Sequence, residues 1–264
     1  MINIDCRFRA KSLYIPANIK VLLPPFFEHG RAKESLEEVY KDGNVSFKTL
    51  FLLHGAFNDA HSWHGYTNIE KYAHKHRLAV VMPTVGNSFG ANMVHGLDYW
   101  TFLSDELIRF VRSIFPLSEK REDNFVAGLS MGGYEAYKLA LNMPETFSAS
   151  ISLSGVLDIV SAFSKSTEER LFDVKDYFGS VEALQGSEND LFALLAKLKK
   201  EGKQIPRLYA ACGTDDSLYD SNQRFLEVAR DLSVDVTYEE GPGGHDWDFW
   251  DTYIERGLDW LCQS

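Results

Sequence analysis

The sequence predicts an α/β protein in which a mostly parallel β-sheet is covered by helices on both faces. The main observation is that short β-rich runs alternate with segments of helical periodicity almost to the end of the chain, which is the pattern of a sheet whose strands are joined by helices. The second observation is the size and composition of the chain. Of its 264 residues, 45% are hydrophobic and 13% aromatic, which is enough to form a large buried core.

Three strand candidates open the chain, at residues 3–8, 13–15 and 19–23. Because the connections between them are too short to carry a crossover helix, we expect these strands to be antiparallel. The later strand candidates lie at residues 49–55, 78–83, 124–128, 147–153, 206–212 and 234–240.

Helical patterns separate the later strands. The clearest is at residues 103–114, where apolar side chains recur on one face of a helix; they are Leu103, Leu107, Phe110, Val111 and Ile114. The other predicted helices cover residues 63–74, 134–142, 191–200 and 221–232, and a last one begins near residue 246.

No repeat, low-complexity tract or linker interrupts this alternation, so the sequence predicts one domain over residues 1–264. A polar insertion at about residues 155–202 follows one of the strand candidates, and we expect it to form a small cap. Residues 28–44 form another polar stretch, to which the sequence assigns no role.

Charge and cysteine content limit the partners and the compartment. A formal charge of −11 without any Lys/Arg run longer than two residues argues against a nucleic acid or an anionic membrane as partner. Cys6, Cys212 and Cys262 are far apart, odd in number and fit no metal spacing, which favours a reducing compartment. No signal-peptide core and no apolar run of about 18 residues is found. We therefore expect a cytoplasmic protein and leave open whether it forms a homo-oligomer.

The stretch GLSMGG, residues 128–133, contains a GxSxG pattern between a β-type run and a helical run. Gly128 and Gly132 remove the side chains that a tight strand-to-helix turn would crush, and this context indicates that Ser130 is a nucleophile exposed on such a turn. The pattern fixes only three positions, so an ordinary glycine turn remains the alternative.

A serine nucleophile requires a histidine base and an acid that orients it. His245, in GPGGHDWDFW, is the one histidine that follows Ser130 in the sequence, and its position after a strand candidate suits the order Ser, Asp, His. The segment CGTDD offers Asp215 and Asp216. Spacing from Gly213 favours Asp216 as the acid, with the reverse assignment left open.

The developing oxyanion needs hydrogen-bond donors. One is expected to be the backbone N–H of Met131, directly after the nucleophile, and the other the N–H of Ala56 or Phe57 in the turn after TLFLLHG. Several aromatic residues lie near these motifs. Most are expected to be core residues, and we keep Phe57, Trp63 and Trp247 as candidate substrate contacts.

Metal and cofactor chemistry is not indicated. HExxH does not occur, and His74 and His76 are two residues apart on a predicted helix, so they face different directions. The glycine-rich stretches GPGG and GLSMGG do not have the spacing of a dinucleotide-binding or phosphate-binding loop. The sequence therefore predicts a reaction without metal or cofactor.

Seven segments in the same order resemble the esterase D-type branch of the α/β hydrolases, and are most similar to bacterial tributyrin esterases and acetyl esterases. They are HGAFNDAHSW, VVMPT, DYWTFLSDEL, FPLSEKREDNFVAGLSMGGYEAYKLAL, SLSGVLD, CGTDDSLYDSN and GGHDWDFW, within residues 50–261. The resemblance implies an α/β-hydrolase fold and hydrolysis of a small-molecule ester with a short acyl chain, through an acyl-enzyme and without a cofactor.

Carried over residue by residue, the resemblance implies Ser130 as nucleophile, Asp216 as acid and His245 as base. The positions of Ala56 and Met131 match those whose backbone amides form the oxyanion hole.

Two alternatives stay open. S-formylglutathione hydrolases are also similar, but usually carry GHSMGG and a cysteine in the oxyanion-loop region, whereas this chain has Leu129 and no cysteine between Cys6 and Cys212. A thioester substrate is therefore the second hypothesis. A catalytically inactive binding protein on the same fold is the third; its signature would be the loss of a triad residue, and none is lost.

Overall fold

The computed structural model describes residues 1–26, 35–39, 45–165 and 171–263. Within these ranges eight strands form a single sheet in the order β1-β2-β4-β3-β5-β6-β7-β8. The strands are β1 (Ile2–Arg9), β2 (Pro16–Leu23), β3 (Thr49–Leu53), β4 (Ala79–Pro83), β5 (Asn124–Leu129), β6 (Ala149–Leu153), β7 (Arg207–Gly213) and β8 (Val236–Gly241).

Strand direction agrees with the expectation from the connections. β1 pairs with β2 and β2 with β4 in antiparallel fashion, while β4, β3, β5, β6, β7 and β8 run parallel to one another. This is the mostly parallel sheet that the sequence predicts. It also places the carboxyl ends of β3, β5, β6, β7 and β8 along one edge.

The prediction of a strand at residues 13–15 is wrong. Tyr14 has a left-handed backbone (φ 57°) and is 77% exposed, so the chain turns here instead of extending. The N–H of Ala10 donates to the carbonyl of Ile15 at 3.1 Å, which closes the turn between β1 and β2.

Helices occupy the connections. They are α1 (Leu36–Val39), α2 (Ser62–Tyr66), α3 (Ile69–His76), α4 (Tyr99–Thr101), α5 (Leu107–Ile114), α6 (Met131–Asn142), α7 (Ile159–Lys165), α8 (Val174–Tyr177), α9 (Val181–Leu184), α10 (Leu191–Glu201), α11 (Tyr219–Asp231) and α12 (Trp247–Cys262). A π-helical stretch at Phe102–Glu106 joins α4 to α5. The helix expected at residues 63–74 is divided into α2 and α3, because Thr67 between them is extended.

The inner parallel strands of the sheet, β3, β4, β5 and β6, are buried on both faces. Successive residues of β5 alternate between two cores, with Val126 in one and Phe125 and Ala127 in the other. Side chains of α5, α6, α10 and α11 fill the first core, and those of α2, α3 and α12 fill the second. Strands buried on both sides read as continuous hydrophobic runs, which is why the parallel strands could be recognised in the sequence.

The expected cap contains helices α7 to α10 within the described residues. Two hydrogen bonds tie it to α6: Tyr134 Oη donates to the carbonyl of Asn189 at 2.7 Å, and Asn142 Nδ2 donates to that of Glu188 at 3.1 Å. Of the polar stretch at 28–44, only residues 35–39 are described. Among the described helices, none combines the length and hydrophobicity that crossing a bilayer requires.

Candidate active site

Three predicted side chains meet at the carboxyl edge of the sheet. Ser130 lies between β5 and α6, Asp216 follows β7, and His245 lies between β8 and α12. His245 Nε2 is 2.9 Å from Ser130 Oγ, and His245 Nδ1 is 2.9 Å from Asp216 Oδ2 and 3.1 Å from Oδ1. In this arrangement the imidazole can accept the serine proton while the carboxylate holds the ring in the required tautomer.

Ser130 has a strained backbone. Its φ of 54° and ψ of −119° lie outside the conformations that an L-residue prefers. The N–H of Ser130 donates to the carbonyl of Leu153 at the end of β6, at 2.9 Å. The strained turn is therefore held by the neighbouring strand as well as by its own chain.

Close packing explains both glycines of the motif. A Cβ on Gly128 would lie 2.2 Å from the carbonyl oxygen of Gly132, and a Cβ on Gly132 would lie 2.5 Å from the carbonyl oxygens of Leu53 and His54. No side chain fits at either position. The turn that carries Ser130 can therefore pack closely against β3 and the segment that follows β3.

Asp216, not Asp215, is hydrogen-bonded to His245. The Asp216 side chain is fully buried, and burial raises the pKa of its carboxyl, but hydrogen bonds from His245, the Leu218 N–H and Ser154 outweigh this and hold the pKa below its ordinary value. Asp215 is exposed, and its N–H donates to the carbonyl of Gly243 at 3.1 Å, so it is a turn residue.

The turn after β3 lies directly beside the nucleophile. A Cβ on Gly55 would be 3.3 Å from the Cβ of Ser130. The Phe57 N–H donates to Asn87 Oδ1 at 2.7 Å, which leaves the Ala56 N–H as the candidate oxyanion donor of this turn. Met131 begins α6, where the first N–H groups of a helix have no partner within it.

His54 fixes the shape of that turn, a role that sequence reasoning did not identify. Its Nδ1 is 2.7 Å from the carbonyl of Gly55, and its Nε2 accepts from the N–H of Val85 at 3.0 Å. Burial lowers the pKa of His54. The ring is therefore a neutral tautomer that donates from Nδ1 and accepts at Nε2.

The three candidate substrate contacts differ in accessibility. Phe57 is 67% exposed, has a left-handed backbone (φ 67°), and its ring lies 5.7 Å from that of Phe172 in the cap. Trp247 is half-buried and stacks on Tyr66 at 4.9 Å. Trp63 is 1% exposed and donates to the carbonyl of Leu53 at 2.9 Å. The expectation for Trp63 is wrong, because it is a core residue with almost no surface to offer a substrate.

An aromatic cluster and two buried ionisable side chains, Glu135 and Lys138, support the region beside the site. The rings of Phe89, Phe163, Phe172 and Tyr177 contact one another across the cap and the loop after β4. Beneath this loop, Lys138 Nζ of α6 donates to the carbonyl of Gly90 at 2.6 Å, and Glu135 accepts from Ser88 Oγ at 3.4 Å.

Within the described residues, no group of three or more His, Cys, Asp or Glu side chains converges as metal ligands would. The three cysteines are free thiols.

Comparison with known proteins identifies the family. The family model Esterase, described as "Putative esterase", matches residues 18–261. The chain is 37% identical over 224 residues to an acetyl esterase of Caldicellulosiruptor saccharolyticus, which covers 83% of this chain and 84% of that protein.

Two solved structures from Staphylococcus aureus are similar over the whole length. Fluorophosphonate-binding serine hydrolase F, with substrate bound, has a TM-score of 0.89 at 35% identity and covers 100% of this chain and 99% of its own. An S-formylglutathione hydrolase has a TM-score of 0.85 at 35% identity and covers 99% of both chains. With the mostly parallel sheet and the resemblance of its motifs, these matches establish that the chain belongs to the Esterase family and is a carboxylic ester hydrolase with an α/β-hydrolase fold.

Proposed function

We propose that the protein is a serine carboxylesterase that hydrolyses short-chain acyl esters, from acetyl to butyryl, through an acyl-enzyme on Ser130. The observation that supports this most directly is the continuous hydrogen-bond chain from Ser130 Oγ through His245 to Asp216, with both bonds at 2.9 Å. We also propose a cytoplasmic location, since the cysteines are free.

The proposed reaction begins when His245 Nε2 takes the proton of Ser130 and the serine oxygen attacks the acyl carbon. The Ala56 and Met131 N–H groups stabilise the oxyanion of the tetrahedral intermediate. His245 then returns the proton to the departing alcohol, which leaves the acyl group on Ser130. A water, deprotonated by the same imidazole, attacks this ester and releases the carboxylic acid and free Ser130.

The preference for short acyl chains is inferred from the partial cover over the site. We propose that the chain forms one domain in which residues 155–202 act as a cap, and contact between Phe57 and Phe172 at 5.7 Å brings this cap to the turn beside Ser130. We infer that the aromatic cluster behind this contact limits the room for a long acyl chain. Phe57 and Trp247 are the proposed substrate contacts.

The test is hydrolysis of p-nitrophenyl esters of increasing acyl length by the wild type and by Ser130→Ala. We expect acetyl to butyryl esters to be preferred, and Ser130→Ala to lower kcat by roughly 10⁴- to 10⁶-fold. Ser148→Ala, which removes another part-buried serine hydroxyl with only a weak bond of 3.4 Å, is the control and should keep wild-type rates. A preference for octanoyl or longer esters would contradict the assigned substrate, and a Ser130→Ala enzyme as active as wild type would remove the mechanism.

A thioesterase is the second candidate function. It is favoured by the 35% identity and TM-score of 0.85 to the S-formylglutathione hydrolase of Staphylococcus aureus. Both candidate functions use the same nucleophile and differ in their substrate. Comparison of kcat/KM for S-formylglutathione with that for p-nitrophenyl acetate therefore separates them. Failure of a fluorophosphonate probe to label Ser130 would instead favour an inactive hydrolase fold.

A further inference from the structure

Ser154 lies just after β6, outside the residues to which the proposed mechanism assigns a role. It is fully buried, and its backbone is left-handed, with φ 48°. Such a conformation costs an L-residue roughly 1–2 kcal/mol, a cost that glycine avoids. A serine here is therefore expected to supply something through its hydroxyl group.

The hydroxyl of Ser154 is oriented by Trp250 of α12. Trp250 Nε1 and Ser154 Oγ are 3.1 Å apart, and because an indole N–H can only donate, the serine oxygen is the acceptor. The serine O–H is then free to donate toward the Asp216 carboxyl, whose pKa the Ser154 hydroxyl helps to lower. The Cys212 thiol also lies beside Ser154, and burial raises its pKa to about 12, so it stays protonated and does not compete as an anionic acceptor.

Trp250 also contacts the base directly. Its ring meets the ring of His245 edge to face, with the centroids 4.9 Å apart and the planes at 90°. Trp250 is itself 5% exposed and held by the second core. The Trp250 indole therefore packs against His245 and is connected to Asp216 through the Ser154 hydroxyl.

We propose that Ser154 and Trp250 are positioning residues for the acid–base pair: the Trp250 N–H aims the Ser154 hydroxyl at Asp216, and the Trp250 ring fixes the orientation of His245. This inference rests on the proposed function, since it requires that His245 acts as the base and Asp216 as the acid. Without the Ser154 hydroxyl, one fewer hydrogen bond stabilises the negative charge of Asp216. The Asp216 carboxylate then stabilises the imidazolium form of His245 more strongly, so that His245 becomes protonated at a higher pH.

Other titratable groups lie on the elements that carry or adjoin the pair. Cys212 lies on β7, Glu240 on β8 and Asp246 at the start of α12. Each is unchanged in the variants below, so its effect cancels when a variant is compared with the wild type.

The experiment measures the pH profile of kcat/KM for p-nitrophenyl acetate with the full-length protein. Ser154→Ala and Ser154→Gly should both lower kcat/KM about tenfold, as expected for loss of one hydrogen bond to a charged group, and both should move the acidic limb to higher pH. Trp250→Phe keeps an aromatic ring but loses the N–H, and should move the limb in the same direction by less. The double variant Ser154→Ala/Trp250→Phe should shift the limb no further than Ser154→Ala, because both changes act through one hydroxyl.

Ser152→Ala is the matched control. Ser152 lies two residues earlier on β6 and is equally buried, but its hydroxyl has no hydrogen-bond partner in the described part of the chain. Its removal should leave both kcat/KM and the pH profile unchanged. Ser154→Gly adds a second check, because it relieves the left-handed backbone. It should lose activity while its free energy of unfolding stays equal to or above that of Ser154→Ala.

An acidic limb that does not move in Ser154→Ala and Ser154→Gly would overturn the proposal and leave Ser154 with a structural role only. This failure is distinct from failure of the proposed function, in which wild-type Ser130 would not be labelled by a fluorophosphonate or would prove dispensable. If Ser154→Ala unfolds, Ser154→Gly and Trp250→Phe carry the test.

Discussion

Gly132→Ala should inactivate the enzyme without unfolding it. The added Cβ would lie 2.5 Å from the carbonyl oxygens of both Leu53 and His54, about 0.9 Å short of the 3.4 Å at which ordinary contact begins. β3 cannot retreat, because it is hydrogen-bonded to β4 on one side and to β5 on the other. The turn that carries Ser130 must therefore move away by most of this distance.

The magnitude follows from this displacement. Forcing an extra carbon into a well-packed interior costs about 1–3 kcal/mol of unfolding free energy, which a chain of this size can tolerate. A shift of about 1 Å between reacting groups, however, lowers the rate about 100-fold. We expect kcat/KM for p-nitrophenyl acetate to fall by at least this factor, while urea unfolding still reports a cooperative native state.

Gly65→Ala is the control for glycine replacement itself. Gly65 lies in α2, where an added Cβ would meet nothing within 4 Å. The substitution should keep wild-type kcat/KM and raise the free energy of unfolding by about 0.4–1 kcal/mol. Wild-type kcat/KM in Gly132→Ala would refute the argument from close packing, and a loss of activity in both variants would show that the assay does not distinguish the two sites.

The remaining predictions concern other residues of the site and its surroundings. Asp216→Asn should lower kcat about 10⁴-fold by stabilising the wrong imidazole tautomer, whereas Asp215→Asn should keep steady-state rates close to wild type. Glu135→Leu removes the electrostatic interaction between the buried Glu135 and Lys138 side chains and should lower the free energy of urea unfolding by about 1–3 kcal/mol, while Glu135→Leu/Lys138→Met should restore most of this; equal losses in the single and double variants would argue against coupling. Phe57→Gly relieves a left-handed backbone and removes an exposed ring, so it should raise stability while KM for apolar esters increases and kcat changes little.

The fold could be predicted from the sequence because parallel strands buried on both faces leave continuous apolar runs. Residues 49–55 and 78–83 are of this kind, and they contain β3 (Thr49–Leu53) and β4 (Ala79–Pro83). Residues 13–15 show the limit of this reasoning. Leu13 is buried, yet Tyr14 is exposed with φ 57°. A run of three apolar residues indicates neither the turn geometry nor the exposure of its middle residue.

The triad candidates could be predicted because each follows a strand and belongs to a short motif. Ser154 and Trp250 could not, since their contact joins residues 96 apart in the sequence and neither belongs to a catalytic pattern. The same holds for Asn87, which binds the N–H of Phe57 from 30 residues away. The error at Trp63 has a related cause: proximity of an aromatic residue to a motif does not reveal which way its side chain points.

The position of β8 has a consequence for how the enzyme loses activity. β8 is the last strand of the sheet and pairs only with β7 among the described strands, and His245 lies four residues beyond its end. Terminal strands open locally at lower free energy than the strands enclosed between two neighbours. A brief detachment of this strand would carry the imidazole away from Ser130 while the other seven strands stay hydrogen-bonded. Mild denaturant should therefore abolish turnover before it reduces the tryptophan fluorescence or amide protection of the core, so that catalysis reports the integrity of one edge of the sheet.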